Sequence, residues 1–192
     1  MRLISIKHLV ILIGLANLTL GAKILIGYRR VHKNEAEIIN DLGNIFRDPT
    51  FDDRANRDDK AQIGNGVYLS MKRDGYDALP SHWWCYVEAE MGPLARTPKV
   101  WISKFMWDKR ETNIEAYVQA RLEDGESADS AIRMSETKNF PKGTIQMLIP
   151  TWMVRRNILK TSAHCYANAQ NLPYRGAVSF DDWGNYRNRK PT

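Results

Sequence analysis

The feature that most constrains this chain is the run from Leu9 to Tyr28, LVILIGLANLTLGAKILIGY. It carries one charge, Lys23, and two conspicuous polar side chains, Asn17 and Thr19. A helix rises about 1.5 Å per residue and needs about 20 mostly apolar residues to cross roughly 30 Å of hydrocarbon. The run just meets that length. The preferred reading is a retained membrane anchor. Apolar residues resume after Lys23 with Ile24, Leu25 and Ile26, and Lys23 can lay its methylenes along the helix and lift its ammonium to the headgroups. A cleaved signal peptide is the second reading, with Met1–His8 as its basic region, Leu9–Leu20 as its apolar region, and Thr19 and Gly21 as small residues before the cut. A buried core helix is the third. As an anchor, the span has Arg29, Arg30 and Lys33 after it against Arg2 and Lys7 before it. That places the rest of the chain on the positive side of the membrane.

The expected organisation is therefore mainly α: an anchor at 1–28, a mostly α-helical domain at 29–170, and an extended C-terminal arm at 171–192. The part beyond the anchor is of ordinary single-domain size, long enough to bury a core. The net charge of +6 is unevenly spread. Residues 31–137 carry 14 basic and 20 acidic side chains, whereas 138–192 carry nine basic and two acidic. The body is thus acidic and the ends are basic, which fits membrane topology or headgroup contact better than a nucleic-acid surface.

Along the chain, RRVHKNEAEIINDLGNIFR at 29–47 reads as a helix with Ile38, Ile39, Leu42, Ile45 and Phe46 on one face. Asp48-Pro49 stops it, and 48–66 reads as a charged loop. Val67–Met71 is a strand or one helical turn. Ser81 before HWWCYVEAEM, with Gly92-Pro93 after it, reads as a capped helix. Thr97-Pro98 repeats the start signal. Residues 112–137 read as two helices broken at Gly125. Thr144–Ile149 is a strand or buried extended segment, and 151–170 is a helix behind Pro150.

Two cysteines, Cys85 and Cys165, exclude a disulfide scaffold. Two buried thiols in a reducing compartment are expected, with a single bridge as the alternative in an oxidising one. His82, Cys85, His164 and Cys165 could supply a zinc set. Adjacent His164 and Cys165 would point about 100° apart on a helix, however, so ordinary side chains are the expectation. No carboxylate pair is marked for acid/base work, and Gly64-Asn65-Gly66 lacks the rest of a phosphate-binding loop.

What stands out is aromatic. Trp83, Trp84, Trp101 and Trp107 in the body, and Tyr174, Phe180, Trp183 and Tyr186 in the arm, are candidate protein-interaction residues. No catalytic, metal or cofactor residue is expected. The reading is a non-catalytic, single-pass accessory subunit of a multi-subunit membrane complex, with a respiratory or ATP synthase assembly of the mitochondrial inner membrane preferred as host over a bacterial inner membrane. Its partners would be other subunits and the lipid bilayer, without nucleic acid. The alternative is a tethered or secreted enzyme or ligand-binding domain carrying a signal peptide.

Overall fold

The computed structural model describes residues 21–57, 61–76 and 79–189. Its centre is one seven-stranded sheet: β1 (Lys23–His32), β2 (Gly66–Ser70), β3 (His82–Glu90), β4 (Lys99–Trp101), β5 (Ile132–Glu136), β6 (Ile145–Pro150) and β7 (Ser162–Tyr166). The spatial order is β4-β5-β6-β2-β1-β3-β7. All neighbours run antiparallel except β4 and β5. The helices are short: α1 (Lys33–Leu42), α2 (Pro49–Arg57), α3 (Met91–Arg96), α4 (Glu111–Gln119) and α5 (Thr151–Arg155). The mainly α expectation is corrected to a mixed sheet with helices around it.

The membrane expectation is corrected with it. Leu9–Leu20 lie outside the described residues. The remainder of the expected span enters the sheet, with Lys23–Tyr28 forming the first part of β1, hydrogen-bonded to β3 along its length. Ile26, Tyr28 and Val31 are buried in the protein's own core. The apolar residues after Lys23 are therefore core strand, because their β-branched and aromatic side chains fill a pleated, two-sided interior. Among the described residues, no helix is long and apolar enough to cross a membrane. The single-pass and inner-membrane assignments are not supported.

Period-2 patterning decides β3 in the same way. Cys85, Val87 and Ala89 are buried, while Trp84, Tyr86 and Glu88 between them are partly exposed. The cap-like residues at Ser81 and Gly92 pointed to a helix, but the alternation and two flanking strands override them. The expected helix at 151–170 is one short helix, α5, followed by strand β7. The second helix expected before 137 is strand β5, and the charged loop contains α2. Of the helix expected at 29–47, only Lys33–Leu42 is helical, as α1; residues 29–32 belong to β1. α1 is capped by Gly43 in the left-handed conformation and buries Ala36 and Ile39, while Ile38 and Leu42 stay exposed.

Cys85 and Cys165 face each other directly across β3 and β7 and form a disulfide. The expected free thiols are corrected. The zinc set goes with them, since both sulfurs are consumed and no cluster among the described residues could hold a metal ion. β7 is a sheet edge, and α1 closes it. Asn40 accepts from the Cys165 N–H through Oδ1 at 2.7 Å and donates Nδ2 to its carbonyl at 3.0 Å. Covering an edge in this way prevents pairing with another chain.

The arm does not project. Segment 171–189 lies back across the domain and buries Leu172, Val178 and Trp183. The Val178 N–H donates to the Met71 carbonyl, and the Tyr28 hydroxyl donates to the Gly176 carbonyl at 2.7 Å. The arm ends along the edge of β4, where Lys99 N–H donates to Asn185 O and Arg187 N–H to Lys99 O.

Candidate functional site

β1 and β2 are sheet neighbours through one residue pair only, Tyr28 opposite Ser70. Gly27 allows this contact, because a Cβ there would stand 2.7 Å from the Leu69 Cβ. Beyond that pair the two strands part, and a cleft of about 500 Å³ opens between them. Arg29 and Arg30 of β1 form one wall. Tyr68 of β2 and Gln146 of β6 form the other. Tyr76, from the loop after β2, and Phe140, from the turn between β5 and β6, meet edge to face with ring centroids 6.2 Å apart. Thr137 and Lys138 close the far end.

Each side chain is held by its neighbours. Arg29 donates Nη2 to Glu35 Oε1 on α1 at 2.8 Å. Arg30 lies flat over the Trp84 ring, 3.7 Å from its centroid, and Trp84 Nε1 donates to Asp74 Oδ1 at 3.1 Å. Burial works against the Arg30 charge, and Asp74 works for it. Tyr68 donates to the Gly64 carbonyl and accepts from the Ile63 N–H. Tyr76 donates to Gln146 Oε1 at 3.2 Å. Burial pushes the Tyr68 and Tyr76 phenols far above their ordinary range, so both stay neutral. Lys138 pairs with Asp108.

Three donors in this one cleft are left over. Arg29 Nη1, Arg30 Nε and Thr137 Oγ1 are all buried and have no hydrogen-bond partner among the described residues. An unmet buried donor costs about 1–3 kcal/mol, more when charged. Unmet buried donors on three residues that line one preformed cleft therefore mark a place for an acceptor ligand. Two guanidinium groups favour a carboxylate, sulfate or phosphate, and the Tyr76–Phe140 pair offers a ring surface.

The aromatic residues singled out from sequence do not converge there. Trp84 supports Arg30 from below. Trp83 packs against the main core from a half-buried position. Trp107 packs on the cluster around α4. Trp101 and Trp183 are buried. Tyr174 donates to Glu88 Oε1, which pushes its phenol up to about 12. Phe180 stacks edge-on against Trp183, and Tyr186 donates to the Phe180 carbonyl. Trp101, Met134, Phe180 and Tyr186 line a smaller cavity of about 190 Å³ between arm and sheet. The cleft residues Arg29, Arg30, Tyr76, Thr137 and Gln146 were not singled out. The two arginines read as flanking charges of an anchor. Their signal was their position after a short apolar run, Ile24, Leu25 and Ile26, of strand-like length.

The chain belongs to the DUF5910 family, a family of unknown function, whose characteristic sequence it matches over residues 61–188. That span takes in the cleft wall from β2 and β6 and the whole arm up to Asn188. It leaves out β1 and α1, and so Arg29 and Arg30. No curated protein is significantly similar to the chain.

Proposed function

We propose that this is an exported, disulfide-locked ligand-binding domain whose cleft between β1 and β2 holds a small anion bearing a planar ring. The observation that carries the reading is the set of three buried, unpartnered donors in one cleft. The disulfide supports export, because such bonds persist in oxidising compartments. The apolar run Leu9–Leu20 then serves as a leader. Binding is favoured over catalysis because the acids beside the cleft are engaged: Glu35 with Arg29, Asp108 with Lys138. The accessory-subunit expectation rested on a membrane span, and that support is gone.

Thermal shift and calorimetry with AMP, phenyl sulfate, inorganic phosphate and adenosine test the cleft. The charged ring-bearing probes should stabilise the protein at millimolar concentration or below, and adenosine should not. Arg30→Gln should weaken AMP at least tenfold, and Thr137→Val, which keeps the shape and removes the hydroxyl, severalfold. Equal binding of adenosine and AMP, or an Arg30→Gln variant that binds as wild type, would sink the anion reading. Intact-mass measurement of the secreted protein tests export, with a chain starting near Ala22 or Lys23 as the expected outcome.

A further inference from the structure

His32 and His82 stand opposite each other at the last pair of β1 and β3, with their rings 6.3 Å apart and edge to face. The His82 carbonyl accepts from Arg30 Nη2 at 3.4 Å, which ties this histidine to a wall of the cleft. His82 Nδ1 is buried and has no hydrogen-bond partner among the described residues. Arg30 and His32 oppose a charge on its ring, and Glu35 favours one. Glu35 itself is engaged by Arg29. Arg30 is further balanced by Asp74. His82 thus carries a further unmet nitrogen, joined through its carbonyl to Arg30, whose own Nε is unmet.

We propose that ligand binding in this cleft is coupled to proton uptake by His82. The inference rests on the cleft being an anion site. In the empty protein, burial first, then Arg30 and His32, hold the imidazole below its ordinary range. An anion seated against Arg29 and Arg30 cancels positive charge close to His82. The ring then gains its second proton more readily, and the vacant nitrogen can become a donor. Linkage is reciprocal, so a ligand that promotes protonation binds more tightly as pH falls. Glu35 and Asp74 already balance the two arginines, so the anion's added negative charge is offset by the proton that His82 takes up. The domain would then take up its ligand in acidic surroundings and release it at neutral pH.

The test uses phenyl sulfate, whose charge is constant from pH 5 to 8, with the full exported chain. Calorimetry at pH 5.5 and 7.5, each in two buffers of unlike ionisation heat, reads affinity and proton uptake together. Expected is an affinity severalfold higher at pH 5.5, with a fractional proton taken up on binding. His82→Gln should bind within about twofold of wild type at pH 7.5 and lose most of the pH dependence. His32→Gln should keep it. Affinity independent of pH with no buffer dependence would overturn the coupling while leaving the anion site standing, as would a slope unchanged in His82→Gln. If phenyl sulfate binds at neither pH, both the coupling and the anion reading fall.

Discussion

Asn188 and Trp101 are joined as two peptide units would be: the Trp101 N–H donates to Asn188 Oδ1 at 2.7 Å, and Asn188 Nδ2 donates to the Trp101 carbonyl at 3.0 Å. The side chain of the arm thus adds one false residue to the outer edge of β4. Asn40 does the same to Cys165 at the opposite edge of the sheet. Both ends of the seven-stranded ladder are therefore closed by an asparagine amide.

Replacing Asn188 with Ala should destabilise the protein by about 2 kcal/mol, since the Trp101 N–H loses its side-chain partner and the Trp101 carbonyl keeps only the longer bond from the Tyr117 hydroxyl at 3.4 Å. Asn188→Asp, which keeps an acceptor and loses the donor, should fall between. Urea unfolding at neutral pH gives both values. A change under about 0.5 kcal/mol would mean that water replaces the amide at no cost.

The disulfide closes a long loop between a central strand and an edge strand. Cys85→Ala with Cys165→Ala should lower stability by about 4 kcal/mol on the loop-entropy argument. The same loss should appear in the wild type under strong reductant, once unfolding exposes the buried sulfurs. Unfolding midpoints that coincide with and without reductant would contradict this.

Lys99 is fully buried, and its Nζ donates to the carbonyls of Leu94 and Thr97 at 2.6 and 2.9 Å. Burial lowers it to about 8. The unfolded chain therefore holds this proton between pH 8 and about 10.4 while the folded chain has lost it. Stability should rise with pH across that window, by about 2 kcal/mol from pH 8 to 10. Lys99→Met should abolish the rise. Above pH 10 the trend should reverse, since the raised phenols of Tyr68, Tyr76 and Tyr186 stay protonated in the fold and ionise in the unfolded chain. Denaturant midpoints at half-unit steps of pH provide the check.

Trp183→Ala should cost about 3–5 kcal/mol, as for other large rings removed from a core, because this ring is 3% exposed. Truncation after Gln170 should unfold the domain or leave it aggregating, since it also removes Leu172, Val178 and the closure of β4. A truncated chain with native circular dichroism and an unchanged melting point would show that the arm is dispensable.

How much of this was legible in the sequence varied by element. TIQMLI was readable as an extended segment and became β6. The region of α4 and the core of α1 were readable because their apolar spacing is helical and nothing competes with it. Val67–Met71, open between strand and helical turn, became β2, and α2 went unread because its segment is charged and has no apolar stripe. The other failures share a reason: short apolar runs fit a strand or a helix, and partners far along the chain decide. HWWCYVEAE alternates, yet its flanks carry helix caps; β1 and β7 on either side settle the matter. Arg29 and Arg30 could not be read as a cleft wall, because their opposite wall arrives about forty residues later with β2. The arm's aromatics read as anchors for a partner, whereas Leu172, Val178 and Trp183 are buried in this chain's own core.

The place of β1 also bears on how the molecule assembles. The first of the described strands to leave the ribosome is the fifth in the row, between two strands made later. β1 has no sheet neighbour to lie on until residues 66–90 exist. Contacts of such long range slow folding towards the millisecond-to-second regime. A polypeptide of this design stays open while it is being made, and sets only once the strands that flank its early segment have joined it.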